Sequence, residues 1–282
     1  MYVGSLSENR TLINTTRLAL DDNSAAPYSW TPDNNGVVFV TRRNGTRDIY
    51  KQDVNRPFAE SVAVSSDRDV GTARLSPDGE EIIYTSTPRG KIGTEIMAVP
   101  LSGRAPRLIL KDDRGIDTIQ CARSPSRFCV YDTVVEKKEI FYQFDAKTGE
   151  KKYLFAVPSE LVNFSLSPDG ATIAAIDIST NERTIQLHYL SSGQIRHTVV
   201  KGWPRIETID WASDGKSVFV VTSASAGKST LLNVTLDGRA KKMREIDNHT
   251  IHWGIPSPNG RRLAIYESVT ASNAWAVESG SK

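Results

Sequence analysis

Cysteine is almost missing from this chain: Cys121 and Cys129 are the only two in 282 residues. That excludes a disulfide-stapled scaffold and a cysteine-rich zinc site. The pair could face each other across a hairpin around "ARSPSRF" and bridge in an oxidising compartment. The preferred expectation is two small buried apolar side chains, because spacing alone does not supply disulfide geometry. Histidine is nearly as scarce, at four. His249 and His252 in "HTIH" fall on opposite faces of a strand. His188 and His197 read as strand-face residues, so zinc is not expected. Charge of one sign is not in excess: 35 Lys and Arg stand against 33 Asp and Glu. No basic patch of the kind that nucleic-acid binders show is present, so no nucleic-acid partner is expected. The nearest candidate, Arg239, Lys241, Lys242 and Arg244, reads as a solvated turn and strand edge. No apolar run approaches the ~18 residues of a membrane span, and no membrane insertion by this segment is expected. The start lacks a basic region followed by an apolar one, and reads as the inside of a strand, as in an excised domain.

Catalytic signatures are missing as well. There is no "GxSxG" nucleophile elbow, no "HRD" and no "DFG". "SAGKST" (225–230) lacks the first glycine of a phosphate loop and feeds a strand-like segment, so it reads as a hairpin loop. Helical periodicity and βαβ alternation are absent too.

What is present is a repeat. "RLSPDGEEIIYTS" (74–86) and "SLSPDGATIAAID" (165–177) are nearly the same phrase. Proline pre-sets φ for a turn, Asp tolerates the next position, and Gly supplies the left-handed conformation that starts a second strand. Weaker copies put Asp33, Ser126, Asp214 and Asn259 in the slot of Asp78 and Asp169, with successive gaps of 45, 48, 43, 45 and 45 residues. The slots carry Asp or Asn because of the turn, and a calcium loop with "DxDxDG" spacing is missing. A third strand ("TEIMAVPL", "KEIFYQFD") and a plainer fourth ("APRLILK", "KKYLFAV") follow. Four short strands per ~45 residues match one propeller blade. The expected fold is all-β: a six-bladed β-propeller of four-stranded antiparallel blades, closed by an N-terminal strand. A β-sandwich would not need this period. "NAWAVES" should be the third strand of the last blade and "TTRLALDD" (15–22) its fourth. "MYVGSL" resembles one more third strand with no place left for it, displaced or left over from a preceding repeat.

The "SPDG…I.Y.S…G..EI" pattern resembles the TolB-type, WD40-like (PD40) propeller repeats of bacterial proteins. "FVTRRNGTRDIYKQ", "CARSPSRFCV", "KGWPRIETIDWASDGKSVFV", "HWGIPSPNGRRLAIYE" and "SNAWAVE" further resemble the C-terminal propellers of large acidobacterial proteins. Those proteins carry an N-terminal serine/threonine kinase or winged-helix module. The likeness spans residues 1–278. It implies one domain over 1–282, cut from a larger protein. It also implies a non-catalytic sensory or interaction module on the periplasmic or extracytoplasmic side, with no cofactor and no metal. The partner would be a protein or a small polar ligand, and the chain a monomer. The alternative is a propeller hydrolase or lyase using polar residues at the channel mouth.

Trp30 and Trp211 occupy one column of the repeat with Leu75 and Leu166, which suggests blade-to-blade packing. Arg123 and Pro256 break that column, and Arg123 should pair with an acid in a neighbouring blade or face the channel. Trp203 in "KGWPR" is a candidate exposed rim aromatic, or else a loop residue tucked against the ring. Ligand candidates are the residues just ahead of the first strands or opening them: Tyr28, Arg74, Gln120, Asn163, Asp210 and His252. They form a polar set without catalytic pairing.

Overall fold

The turn phrase folds as its chemistry requires. Ser76 Oγ donates to Asp78 Oδ1 (2.6 Å) and accepts from Glu81 N (2.9 Å), while Asp78 Oδ1 accepts from Glu80 N. Ser167 with Asp169, Ser257 with Asn259, and Thr31 with Asp33 repeat the arrangement. The slot acids are therefore turn acceptors. Gly79 has φ of +77°, and a Cβ there would sit 2.7 Å from the Pro32 ring of the preceding turn. Glycine is needed both for conformation and for the close approach of neighbouring blades.

The structure is a computed structural model that describes residues 1–7, 10–18, 25–43, 45–63, 67–159, 162–179, 183–224 and 227–268. These hold 24 strands and no helix, in six four-stranded antiparallel sheets. Blade 1 is β3 (Ala26–Trp30), β4 (Gly36–Arg43), β5 (Thr46–Asp53) and β6 (Glu60–Ala63). Blade 2 is β7 (Arg68–Leu75), β8 (Glu81–Pro88), β9 (Thr94–Pro100) and β10 (Arg107–Asp112). Blade 3 is β11 (Ile119–Cys121), β12 (Phe128–Val135), β13 (Lys138–Asp145) and β14 (Lys151–Val157). Blade 4 is β15 (Val162–Leu166), β16 (Thr172–Asp177), β17 (Thr184–Tyr189) and β18 (Ile195–Val199). Blade 5 is β19 (Ile206–Trp211), β20 (Ser217–Ala224), β21 (Lys228–Thr235) and β22 (Ala240–Asp247). Blade 6 joins β23 (Thr250–Pro256) and β24 (Arg262–Ser268) to β1 (Tyr2–Leu6) and β2 (Leu12–Arg17).

The ring closes at the amino terminus, but with two strands instead of one. β1 pairs with β24 (Tyr2↔Ile265, Ser5↔Arg262) and takes the third place expected for "NAWAVES", which lies outside the described residues. β2 is the outer strand and covers only the first part of the segment expected to form it. Register decides this: Val3 of β1 enters one apolar cluster with Trp30, Phe39 and Ala264, while Tyr2 and Leu6 pack on another with Phe219 and Leu263. β1 thus contributes to the seams on both sides of blade 6. The core is six such clusters, one at each blade interface.

The repeat column also changes in blade 3. Trp30↔Val37, Leu75↔Ile82, Leu166↔Ile173, Trp211↔Val218 and Pro256↔Leu263 are matching cross-strand pairs, and the pair in blade 3 is Cys121↔Cys129. Its turn is one residue longer and includes a cis Ser124–Pro125 peptide. The column member is therefore Cys121, and Arg123 belongs to the turn. The two cysteines, expected as free apolar residues, are joined in a disulfide across that pair, with Cα atoms 4.0 Å apart.

Candidate functional site: the turn end of the channel

The first strands surround the axis, and polar bonds about one repeat apart latch each to the next. Leu75 N donates to Ser29 Oγ (3.1 Å), Trp211 N to Ser165 Oγ (3.2 Å) and Ile209 N to Asn163 Oδ1 (3.0 Å). Gln120 Nε2 donates to Phe164 O (3.2 Å) and Thr208 Oγ1 to His252 O (2.8 Å). Trp211 Nε1 donates to Ser165 O (3.0 Å), and Trp30 Nε1 makes the equivalent bond to Ile255 O (2.9 Å). The seam between blades 6 and 1 is thus fastened like the seam between blades 4 and 5.

At the end of the ring where the SPDG turns lie, the channel opens into a cavity of about 270 Å³. One residue per first strand forms a layer in its wall: Ser29, Arg74, Gln120, Ser165, Asp210 and Ile255. Blades 2 and 5 stand opposite each other in a ring of six. Arg74 Nη2 reaches across to Asp210 Oδ1 at 4.0 Å, both side chains being largely buried. Arg74 also donates to Tyr28 O and lies 5.6 Å from the centroid of the Tyr28 ring, while its Nε is buried without a partner. Ser165 Oγ lies 3.4 Å from Asp210 Oδ1. Burial pushes the Asp210 carboxyl up to about 6, against the pull of Arg74 and Ser165. Blades 3 and 6 are opposite as well, and Arg123 Nη1 donates across the mouth to Pro258 O at 3.0 Å. Among the described residues no carboxylate pairs with Arg123, and burial lowers its pKa.

Of the ligand candidates read from sequence, Tyr28, Arg74, Gln120 and Asp210 come together in this cavity. Asn163 is outside it, used as a latch. His252 also lies outside, stacked on Tyr266 with centroids 4.4 Å apart and bonded to Ser268 Oγ. The cavity gathers at the closing end of the first strands and not where they open, because the tight turns converge on the axis there. Trp203 is half-buried against the cluster between blades 4 and 5, so it is tucked, not presented. Arg123 faces the channel and not an acid. The basic run occupies the turn before β22 and that outer strand itself, with Arg239 of the turn paired to Asp237 (2.9 Å) and Arg244 of the strand to Glu267 (2.5 Å). Sequence reading missed Ser29, Ser165 and Ile255. It also missed an acidic group of Asp117, Asp132 and Glu139 at the other end of the ring. The available signal was a carboxylate at 132, where the other blades place Val40, Thr85, Ile176, Val221 and Tyr266.

No family model matches the chain, and no curated protein does. Among solved structures, a protein of Agrobacterium tumefaciens designated TolB superposes with a TM-score of 0.71 at 16% identity, covering 95% of this chain and 98% of that one. TolB from Acinetobacter baumannii gives 0.67 at 19% identity over 87% of this chain, which spans 64% of that protein's length. An oligogalacturonate lyase in complex with manganese gives 0.60 at 15% identity, covering 92% of this chain and 76% of that one. The chain has the fold of the TolB-type propellers. These likenesses extend to architecture, which proteins of different activity share.

Proposed function

We propose that this chain is a non-catalytic binding propeller, the sensory or interaction module of a larger bacterial signalling protein. It takes an anionic group of a protein or small polar ligand at the turn end of its channel. The observation that carries the reading is Arg123: a cation facing the cavity, bonded only to a backbone carbonyl and unmatched by an acid among the described residues. Arg74 adds a buried Nε–H without an acceptor. A carboxylate of the ligand would pair with Arg123, and a guanidinium group suits that geometry. The cavity is small, so it would hold a side chain or chain end and not a folded surface. An oxidising compartment accords with the Cys121–Cys129 bridge.

The test is calorimetric titration with a short peptide bearing a free C-terminal carboxylate, against its amide. The free acid should bind more tightly, and Arg123→Ala should remove the difference. Equal binding, or none, would end this reading. A second reading, a lyase or hydrolase, has one feature in its favour. Asp210, with a carboxyl near 6 beside an arginine, has the proton affinity of an acid–base group. Turnover of a substrate by the purified chain, abolished in Asp210→Asn, would put that reading first.

A further inference from the structure

The end of the ring opposite the SPDG turns carries a second polar cluster, independent of the channel mouth. Asp117 lies in the β10–β11 connection, Asp132 on β12 and Glu139 on β13, with ligand oxygens all within 4.8 Å of one another. Asp132 and Glu139 are buried to 0% and 1% exposure, and Asp117 is the exposed member. No Lys, Arg or His among the described residues pairs with any of the three.

The fold does not require these acids. Asp132 Oδ1 accepts from Thr118 N at 2.7 Å, and in blade 2 the hydroxyl of Thr85 does the same for Thr72 N at 2.9 Å. Glu139 Oε2 accepts from Val162 N at 3.3 Å, the first residue of β15 in blade 4. In blade 5 the matching acceptor is the hydroxyl of Ser229, bonded to Ile251 N at 3.0 Å. A hydroxyl suffices at both places, so each carboxylate brings one oxygen more than the backbone uses. Those two oxygens, Asp132 Oδ2 and Glu139 Oε1, are buried, and no donor group of the described residues reaches either: the two carboxyls have only each other. Adjacent carboxylates survive in a dry interior by sharing a proton or by holding a cation between them.

We propose that Asp117, Asp132 and Glu139 bind one hard divalent cation of the calcium class at the seam of blades 3 and 4. The donors are all oxygen, which suits calcium, magnesium or manganese and not zinc. Exposed Asp117 gives the ion its way in, and Glu139 ties the site to β15, so occupancy fastens two blades together. Backbone carbonyls or water complete the shell, as calcium takes more oxygens than three side chains provide.

The test uses the whole chain, stripped with EDTA and titrated with CaCl2 alone. Calorimetry should show one Ca2+ per chain, and saturating Ca2+ should raise the Tm by about 5 °C. Asp132→Asn and Glu139→Gln keep the shape and the structural acceptor. Each should weaken binding more than about tenfold and erase the Tm shift. Both should fold in EDTA with a Tm at or above that of the unsubstituted chain, because an unmatched charge has gone. Asp169→Asn, a turn acid on the other end, should keep the full calcium response. The proposal is overturned if the unsubstituted chain shows neither heat nor Tm shift with Ca2+, Mg2+ or Mn2+ up to about 10 mM. The pair would then be proton-sharing carboxyls. It is equally overturned if both variants retain the response.

Discussion

At the turn end of the ring Arg74 faces Asp210 across the channel, whereas at the other end Asp132 and Glu139 face only another acid. Both groups are carried on blades built to one plan. The first charge is matched because opposite blades of a six-fold ring bring their strands within side-chain reach at the axis. The second is off the axis, between neighbouring blades, where matching would need a cation from outside. A repeat fold thus supplies the same backbone positions many times, and the residues placed there decide whether a buried charge is balanced internally or left for a ligand.

The sharpest way to break that comparison is to remove the matched cation. Arg74→Ala leaves Asp210 buried and unpaired, and Tyr28 O without its donor. The expected loss is about 3 kcal/mol by urea denaturation, and a loss near zero would mean that water already serves this pair. The next effect tests what fastens the turn end beneath Arg123. Replacing both cysteines by Ala opens a bridge between residues eight apart in sequence, with an expected loss of about 2 kcal/mol. A reductant should lower the Tm of the unsubstituted chain and leave the double variant unchanged.

Smaller effects compare the seams themselves. Trp30→Phe and Trp211→Phe each remove one buried hydrogen bond to a strand carbonyl, at a cost of about 1–2 kcal/mol apiece. Equal losses would show that the closing seam is held like an internal one, and a greater loss at Trp30 would mark it as the weak joint. The smallest effect is a pH dependence. In the folded protein Asp210 keeps its proton to about pH 6, against an ordinary value of 3.8. The fold therefore binds a proton across that interval, and stability declines as pH rises through it. Asp210→Asn removes that pH dependence: its stability relative to the unsubstituted chain should rise between about pH 4 and pH 6, against a pH-independent loss from leaving Arg74 without its counter-charge. In Arg74→Ala the carboxyl should titrate higher still, so the decline, which still begins near 3.8, extends to more alkaline pH.

Much of the architecture was legible because turn chemistry is local. Ser76, Asp78 and Gly79 bond within six residues, so the phrase carries its own structure and its spacing counts the blades. The exchange of β1 into the third place of blade 6 was not legible, since "MYVGSL" and "NAWAVES" both have a strand's pattern. Only the neighbours on each side of the sheet choose between them. Arg123 was misplaced by two positions, one from a residue inserted in its turn and one because Ser126 holds the place of Gly79 and not of Asp78, which spacing absorbs and hydrogen-bond register does not. In the channel, position at the start of the first strands marked Tyr28, Arg74, Gln120 and Asp210. It could not tell them from Asn163, which bonds the next blade, and His252, which stacks on Tyr266.

The amino-acid sequence by itself determined six repeated sheets and the turns between their strands, because those depend on contacts a few residues apart. Tertiary structure alone decided which charges meet. Arg74 and Asp210 are 136 positions apart, and their encounter follows from a ring geometry that places every third blade opposite. Asp132 and Glu139 are close in the chain, yet that they meet buried and without a counter-charge, with Val162 of blade 4 bonded to Glu139, is decided by the packing of the blades.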